Sequence, residues 1–409
     1  MRSIKGTIKG HMAYYSKSKY ERVKVSIILP VYNVGDYVST CIESLKAQSL
    51  REIEFIFIDD CSTDGSMLAV EEWAAADPRV RILRNEKNLG AGPSRNRGIE
   101  AARGDYLAFA DPDDYMAPDF YELLYVAATA GEGHYIAKGS RRKVHGETGK
   151  LAAPDLSLNE RIRASLDAGE PLYAAFTYEH QTALYHCRLF VDVRARYGST
   201  SVNEDGLFLL RCCYQTKDIV IEERAVYYYV QRPGSATQGE SAHMIQDYLD
   251  TFLEKIDFLA EGSFDQSAFK YLLKGADFVA TMSYASLTEA SLTRQEYSAF
   301  AERLMTLIRK VPGLECEAMK KPRLKFFFTA VPHIESCYIR EAAKELADVI
   351  QDTAGRRGLR AAAHECLMLM RRSRIIPVLN WTQLWARTCR YLANIHNGRA
   401  ILKRILSRR

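Results

Sequence analysis

Strand-like and helix-like segments alternate four times between residues 24 and 130, and this order constrains the fold more than any other feature of the chain. Short runs typical of buried strands are predicted at residues 24–29, 54–58, 79–83 and 106–110. Segments with helical spacing of apolar side chains follow them, at residues 36–48, 65–76, 93–102 and 118–130. This alternation requires crossover connections, so we predict an α/β fold with a mainly parallel, Rossmann-like sheet flanked by helices.

The alternation weakens after residue 131. Further strands are predicted at residues 182–190, 219–221 and 226–230, with a helix at residues 206–214. Helical spacing then dominates, as at residues 247–260 and 291–310. The predicted parts of the chain are a basic extension (1–22), an α/β domain (23–240), a helical region of unknown role (241–370) and a basic amphipathic tail (371–409).

Cysteine usage and hydropathy bear on where the protein acts. The nine cysteines include no C-x-x-C pair, which favours reduced thiols over a disulfide framework. No apolar stretch approaches the ~20 residues that span a bilayer. The basic N-terminal segment lacks the apolar core of a signal peptide. We therefore expect a cytoplasmic protein.

The positive charge of the chain is concentrated in its tail. Residues 371–409 carry nine arginines, one lysine and no acidic residue, whereas the whole chain has a net charge of +5. These cations alternate with apolar residues such as Trp381, Trp385, Leu392 and Ile405. The pattern predicts a helix that lies on an anionic membrane surface, with a basic helix packed on the protein's own acidic body as the alternative. We expect no nucleic-acid partner.

Polar residues follow the predicted strands where ligands bind in such sheets, outside the carboxyl ends. After the fourth strand, Asp111 and Asp113 flank Pro112 in a D-x-D arrangement. Carboxylate pairs of this kind bind Mg²⁺ or Mn²⁺, and a cation would cancel their mutual repulsion. The alternative is that these aspartates form a turn or cap the next helix.

Two more loops carry candidate binding residues. Asp59 or Asp60 could accept a hydrogen bond from a nucleobase, and the glycine-rich loop at residues 88–98 carries Arg95 and opens a helix, which favours phosphate. Neither G-x-G-x-x-G after the first strand nor G-x-x-x-x-G-K-[ST] occurs, which argues against dinucleotide oxidoreductases and P-loop enzymes. In "NEDGLFL", residues 203–209, the acidic residues are either helix caps or a general base.

Together, the motifs "VSIILPVYNVGDYVSTCIESLKAQSL", "IDDCSTDGS", "RNEKNLGAGPSRNRGIEAARGDYLAFADPDDYMAPD" and "NEDGLFL" resemble glycosyltransferase family 2, over about residues 23–237. The resemblance implies a GT-A fold, an inverting mechanism and a nucleoside-diphosphate-sugar donor, with UDP as the expected nucleotide. The family's processive synthases carry Q-x-x-R-W and membrane spans. Because this chain has neither, transfer of a single sugar to a saccharide or lipid-linked acceptor is expected, in cell-surface polysaccharide synthesis.

The resemblance also implies roles for individual residues. Pro30, Val31 and Tyr32 would line the base pocket, and Asp60, with Asp59 beside it, would bind the uracil N–H. Arg95 would reach the nucleotide. Asp111 and Asp113 would hold Mn²⁺ or Mg²⁺, with Asp111 also near the donor. Asp205 would be the catalytic base with Glu204 beside it, and Arg232 and Ser235 would contact the pyrophosphate.

Two other functions are compatible with parts of this pattern. A sugar-phosphate nucleotidyltransferase shares the architecture, but it would need a basic glycine-rich loop directly after the first strand, where this chain has PVYNVGDY. A non-catalytic binding or scaffold protein on a transferase fold would not need Asp60, Asp113 and Asp205, which are all present.

Overall fold

The structure, a computed structural model, describes residues 22–146, 148–192, 195–231, 242–261, 266–288, 294–321 and 324. Three predictions fall outside these residues: the extension before Arg22, the pair Arg232 and Ser235, and the basic tail at 371–409. Within the described ranges, no helix is long and apolar enough to cross a membrane.

The first half of the chain alternates strands and helices as predicted. Its strands are β1 (Val25–Val31), β2 (Ile53–Asp59), β3 (Val80–Arg84) and β4 (Tyr106–Phe109). Its helices are α1 (Tyr37–Lys46), α2 (Ser66–Ala76) and α3 (Ala91–Ala101). After β4 follow the short strand β5 (Tyr115–Met116) and α4 (Phe120–Ala128).

The rest of the described chain completes the sheet and then becomes helical. Its strands are β6 (Ile136–His145), β7 (Ala183–His186) and β8 (Ile219–Gln231). The helices between them are α5 (Ser157–Asp167), α6 (Arg188–Val191) and α7 (Glu204–Gln215). The helical part comprises α8 (Ala242–Ala260), α9 (Gln266–Thr288), α10 (Arg294–Arg309) and α11 (Leu314–Met319).

All eight strands form one sheet in the order β3-β2-β1-β4-β7-β6-β8-β5. The pairs β3–β2, β2–β1 and β1–β4 are parallel. Beyond β4 the sheet is mixed, because β7 is antiparallel to both β4 and β6, whereas β8 is parallel to β6. After β1, the chain adds β2 and β3 on one side of β1 and then crosses back to place β4 on the other side of β1. A crevice at the carboxyl ends of β1 and β4 is therefore the expected ligand site.

Two predictions of strand length were wrong. The strand predicted at 182–190 ends at His186, and α6 begins at Arg188, because the Cys187 backbone turns to donate its N–H to the Asp105 carbonyl at 2.9 Å. The strands predicted at 219–221 and 226–230 are one strand, β8, whose pairing with β6 shifts register between Lys138 and Ser140. Residues 222–225, which join the two apolar runs, have no register partner in β6 and form an irregularity within the continuous strand.

The sheet is buried on both faces, which explains the near-continuous apolar sequence of β1. Ile28 faces one core and its neighbours Ile27 and Leu29 face the other. The core around Ile28 also contains side chains from α7, α8, α9 and α10, such as Phe252 of α8. The helical part therefore packs into the same core as one face of the sheet.

Candidate active site

The carboxyl ends of β1, β2 and β4 meet at one edge of the sheet. Val31 is paired with Asp59, and the Asp60 N–H donates to the Val31 carbonyl at 2.9 Å. Among the described residues, four that are not glycine have a positive φ, a costly conformation that often marks functional sites, and all four adjoin candidate site segments. They are Asn33, Cys61, Glu179 and Asn203.

The end of β1 offers one exposed aromatic ring. Tyr32 is 49% exposed, so this side chain is accessible from solvent. Pro30 and Val31 lie inside the buried strand, and Val31 contributes to the core. Tyr32 therefore follows directly on a fully buried strand that includes Pro30 and Val31.

The two aspartates after β2 have different environments. Asp60 is 2% exposed, and its carboxylate accepts hydrogen bonds from Asn85 Nδ2 at 2.6 Å and from the Leu89 and Gly90 N–H groups at 2.8 Å each. It therefore fixes the glycine-rich loop. A carboxylate can accept about four hydrogen bonds, which leaves capacity for one more. Asp59 accepts from the Ser62 N–H at 2.9 Å and shapes the turn after β2.

Of the three aspartates after β4, one is fully buried and two are partly exposed. Asp114 is 1% exposed and accepts the Val230 N–H at 2.7 Å, which ties this turn to β8. Burial raises the pKa of Asp114 well above its usual range, and the charges of Asp111 and Asp113 add to this effect. Asp111 and Asp113 are less buried than Asp114. Among the residues that the structure describes, no group of three or more His, Cys, Asp or Glu side chains could hold a metal ion, so a cation here would need further oxygens from its ligand.

Arg95 joins this turn to the start of α7. Its Nη2 donates to Asp111 Oδ1 and its Nη1 to Glu204 Oε1, each at 2.8 Å. The guanidinium lies 5.2 Å from the Tyr197 ring centroid. Burial opposes the charge of Arg95, but the two carboxylates outweigh it and raise the pKa of Arg95. The sequence predicted that Arg95 reaches the nucleotide. Here both terminal nitrogens are bonded to carboxylates, so Arg95 bridges two parts of the site.

Close packing of α3 allows this bridge. A Cβ on Gly92 would lie 2.4 Å from the Gly198 carbonyl oxygen and 3.2 Å from Glu204 Cγ. Only glycine permits that approach of α3 to the segment before α7. From the sequence alone, phosphate binding explains the glycines of this segment. The structure shows that Gly92 also allows close helix packing.

Glu204 and Asp205 begin α7 but differ in access. Glu204 is 9% exposed, and burial raises its pKa, while Arg95 opposes that shift. The Asp205 side chain is 28% exposed. The pKa of Asp205 is lower than usual. Burial alone would raise this pKa, but the interactions with His180, Lys255 and Arg95 outweigh burial. Asn203 precedes the helix without a side-chain capping bond. Asp205 is therefore a partly exposed carboxylate whose surroundings favour its ionised form.

Two residues beside Asp205 were missed from the sequence. His180 Nδ1 lies 3.6 Å from Asp205 Oδ2. Lys255 of α8 packs against Gly206, the residue after Asp205: a Cβ on Gly206 would lie 2.8 Å from Lys255 Nζ. Burial lowers the pKa of Lys255 to about 8. Neither residue belongs to a recognisable motif, because the fold brings them to Asp205 from distant segments.

A family model for glycosyl transferase family 2 matches residues 26–194, which include β1 to β4 and the turn at Asp111. This part of the chain is therefore a glycosyl transferase family 2 domain. EpsH of Bacillus subtilis (strain 168) is 29% identical over 250 residues, 59% of this chain and 71% of EpsH. Glycosyltransferase GlyA of Streptococcus pneumoniae is 28% identical over 247 residues, 58% of this chain and 35% of GlyA. The chain thus spans about a third of GlyA.

Solved structures show the fold of the chain. TarS 1-349 of S. aureus, in complex with UDP-GlcNAc, superposes with a TM-score of 0.60 at 18% identity, over 78% of this chain and 92% of TarS 1-349. The same protein in complex with UDP gives a TM-score of 0.57. The predicted GT-A fold with a helical C-terminal region is confirmed.

Proposed function

We propose that this glycosyltransferase transfers a single sugar from a UDP-sugar to a saccharide or lipid-linked acceptor with inversion, in cell-surface polysaccharide synthesis. One observation carries the proposal: Arg95 links Asp111 to the start of α7, where Asp205 lies, through two bonds of 2.8 Å. A candidate donor site and a candidate base are therefore held in one rigid frame.

The donor nucleotide would lie at the ends of β1 and β2. Tyr32 would stack on the base, with Pro30 and Val31 behind it. Asp60 would accept the uracil N–H on its remaining lone pair, with Asp59 beside it. The complex of TarS 1-349 with UDP-GlcNAc supports UDP as the nucleotide. Arg232 and Ser235, outside the described residues, remain candidates for the pyrophosphate.

Asp111 and Asp113 would hold Mn²⁺ or Mg²⁺ together with diphosphate oxygens. The donor set fits such an ion, because hard divalent cations take one or two carboxylates plus phosphate oxygens. A bound cation would offset the charge that develops on the departing diphosphate. Arg95 fixes the direction of the Asp111 carboxylate through its 2.8 Å bond.

Asp205 would take the proton of the acceptor hydroxyl as that oxygen attacks the anomeric carbon from the face opposite the diphosphate. Asp205 suits this role better than Glu204, because Glu204 is buried and bonded to Arg95, whereas Asp205 is partly exposed. Attack from the opposite face inverts the anomeric centre. Nearby carboxylates would stabilise its cationic character.

The basic tail would bring the enzyme to the inner face of a membrane that carries a lipid-linked acceptor. Its ten cations could each contribute ~1 kcal/mol near an anionic surface. Liposomes that contain phosphatidylserine should float the full chain at low salt, but not a chain that lacks residues 371–409. Equal flotation of the two chains would contradict this part of the proposal.

Nucleotide binding and release test the proposed activity. Calorimetry should detect UDP binding in the presence of Mn²⁺, with loss of binding in EDTA and much weaker binding by Asp113→Ala. A panel of UDP-sugars should then release UDP when acceptors are added. Unchanged affinity in Asp113→Ala would contradict the metal assignment, and tighter binding of GDP than UDP would contradict the choice of nucleotide.

A further inference from the structure

Within the described part of the chain, the ring of His180 is buried beside the candidate base without a hydrogen-bond partner. The residue is 4% exposed, and neither ring nitrogen has a partner among the described residues. A buried polar group without a partner costs free energy, and such groups in native structures need an explanation. The Nδ1 to Asp205 Oδ2 distance of 3.6 Å lies just beyond hydrogen-bond range.

The backbone of His180 is held firmly in this place. Glu179 has a φ of +68° and is 3% exposed. Its carboxylate is bonded to Lys138 Nζ at 3.0 Å and lies 3.1 Å from Arg141 Nη2. The His180 carbonyl accepts the Tyr185 hydroxyl at 3.0 Å. A strained residue persists only where its surroundings fix it, and here a buried ion cluster does so.

Aromatic rings restrict the orientation of the imidazole. Ring centroids of Phe109, Tyr197 and Phe208 lie 6.0, 5.5 and 6.4 Å from that of His180. The titratable and charged groups near the ring are Glu204 and Asp205 from α7 and Tyr197 from the loop before α7. Lys255 of α8 and Arg95 of α3 also act on Asp205. Asp205 is the carboxylate within ion-pair distance.

We infer that His180 is a positioning residue for Asp205: its Nδ1–H closes onto Asp205 Oδ2 when ligands bind, so that the other carboxylate oxygen faces the acceptor hydroxyl. Hydrogen bonds at active sites are often long without substrate and shorten in the complex. The bond would give the buried ring its missing partner. This inference rests on the proposed role of Asp205 as the base.

The test compares three substitutions that differ in what they leave at Nδ1. His180→Asn keeps a neutral amide near the Nδ1 position, His180→Gln places its amide near Nε2 instead, and His180→Leu keeps neither. We expect His180→Leu to lower the rate of UDP release from a UDP-sugar by about tenfold or more, with UDP affinity unchanged. His180→Asn should recover part of that rate and His180→Gln should not. His186→Asn, in the same strand region but away from Asp205, is the control.

A second measurement needs no turnover. In protein labelled with ¹³C-aspartate, the Asp205 carboxyl signal is identified by its loss in Asp205→Asn. Because a hydrogen bond to the ionised form lowers a carboxyl pKa, the pKa of Asp205 in the UDP complex should rise by about one unit in His180→Leu and by less in His180→Asn. The acid limb of the pH-rate profile should move to higher pH in parallel, while His186→Asn changes neither.

The outcomes separate this inference from the proposed function. If Asp205→Asn loses turnover but all three His180 variants match the parent in rate, the base stands and the role of His180 is wrong. An unchanged titration of Asp205 in the His180 variants also overturns it, even if no UDP-sugar is turned over. If His180→Leu does not fold, equal rates in His180→Asn and His180→Gln would contradict a bond at Nδ1.

Discussion

At the scale of single residues, the site depends on how one buried cation is paired. Arg95 is 4% exposed, and a buried charge is tolerated only with close partners. Asp111 and Glu204 supply them, and Arg95 in turn keeps both carboxylates in fixed directions. Removing one partner of a buried pair is far more costly than replacing the whole pair, because the remaining charges stay buried.

Arg95→Met should therefore lower the free energy of unfolding by ~3–5 kcal/mol, measured by urea denaturation. Arg95→Lys should fall between Arg95→Met and the parent, because a single ammonium does not reproduce the fork of the guanidinium. Arg103→Met, at an exposed arginine shortly after α3, should stay within ~0.5 kcal/mol of the parent. A loss in Arg95→Met no larger than in the control would show that the bridge is not a stabilising feature.

Sequence reasoning identified candidate site residues but not the bonds between them. Asp60, Asp111, Asp113 and Asp205 were identifiable because each lies in a short motif at the end of a strand or start of a helix. The contact from Arg95 to Glu204 joins residues that are 109 positions apart, and His180 lies in no motif. Such pairs depend on how α3 and the segment before β7 lie against the start of α7, which local patterns do not encode.

At the scale of elements, the loop between β3 and α3 is held by one carboxylate. Asp60 accepts hydrogen bonds from Asn85, Leu89 and Gly90, so the loop depends on a side chain after β2 for its shape. Gly90 has a φ of +88°, which favours glycine. The loop is therefore fixed by a tertiary contact and a special backbone conformation together.

Asp60→Ala should release this loop. Each donor that loses its acceptor while buried costs ~1–3 kcal/mol, and the loop can escape that cost only by opening to water. Hydrogen exchange should show faster exchange of the Leu89 and Gly90 amides, with weaker UDP binding. Asp64→Asn, which alters the neighbouring turn at Ser66, should leave those two amides unchanged. Full protection of both amides in Asp60→Ala would contradict this account.

At the scale of the whole molecule, the helical part and the sheet share a core. Phe252 of α8 is 3% exposed and belongs to the cluster that contains Ile28 of β1. On the other side of α8, Asp247 accepts the Ser201 N–H at 3.0 Å, so this helix also supports the loop before α7. Alternation in the sequence predicted the parallel half of the sheet. It did not predict β6, because the buried Lys138 in that strand depends on Glu179 for its charge partner.

Phe252→Ala should destabilise the sheet as well as the helices, by ~3–5 kcal/mol. The measurement is hydrogen exchange of the β1 amides. If the core unfolds cooperatively, the loss of stability in Phe252→Ala should speed exchange at Val25–Val31. Phe278→Ala, at a phenylalanine that is 47% exposed on α9, is the control and should have a small effect. Unchanged β1 protection in Phe252→Ala would instead indicate that residues after 241 unfold as a separate unit.

The measurement that most directly tests the proposed function is turnover by Asp205→Asn. Asparagine keeps the size of the side chain and its ability to cap a helix but cannot accept the proton of the acceptor hydroxyl. We expect UDP binding and melting temperature to match the parent, while the rate of UDP-sugar turnover falls by ~10²-fold or more. A variant that folds, binds UDP and transfers sugar at nearly the parent rate would contradict the assignment of Asp205 as the base.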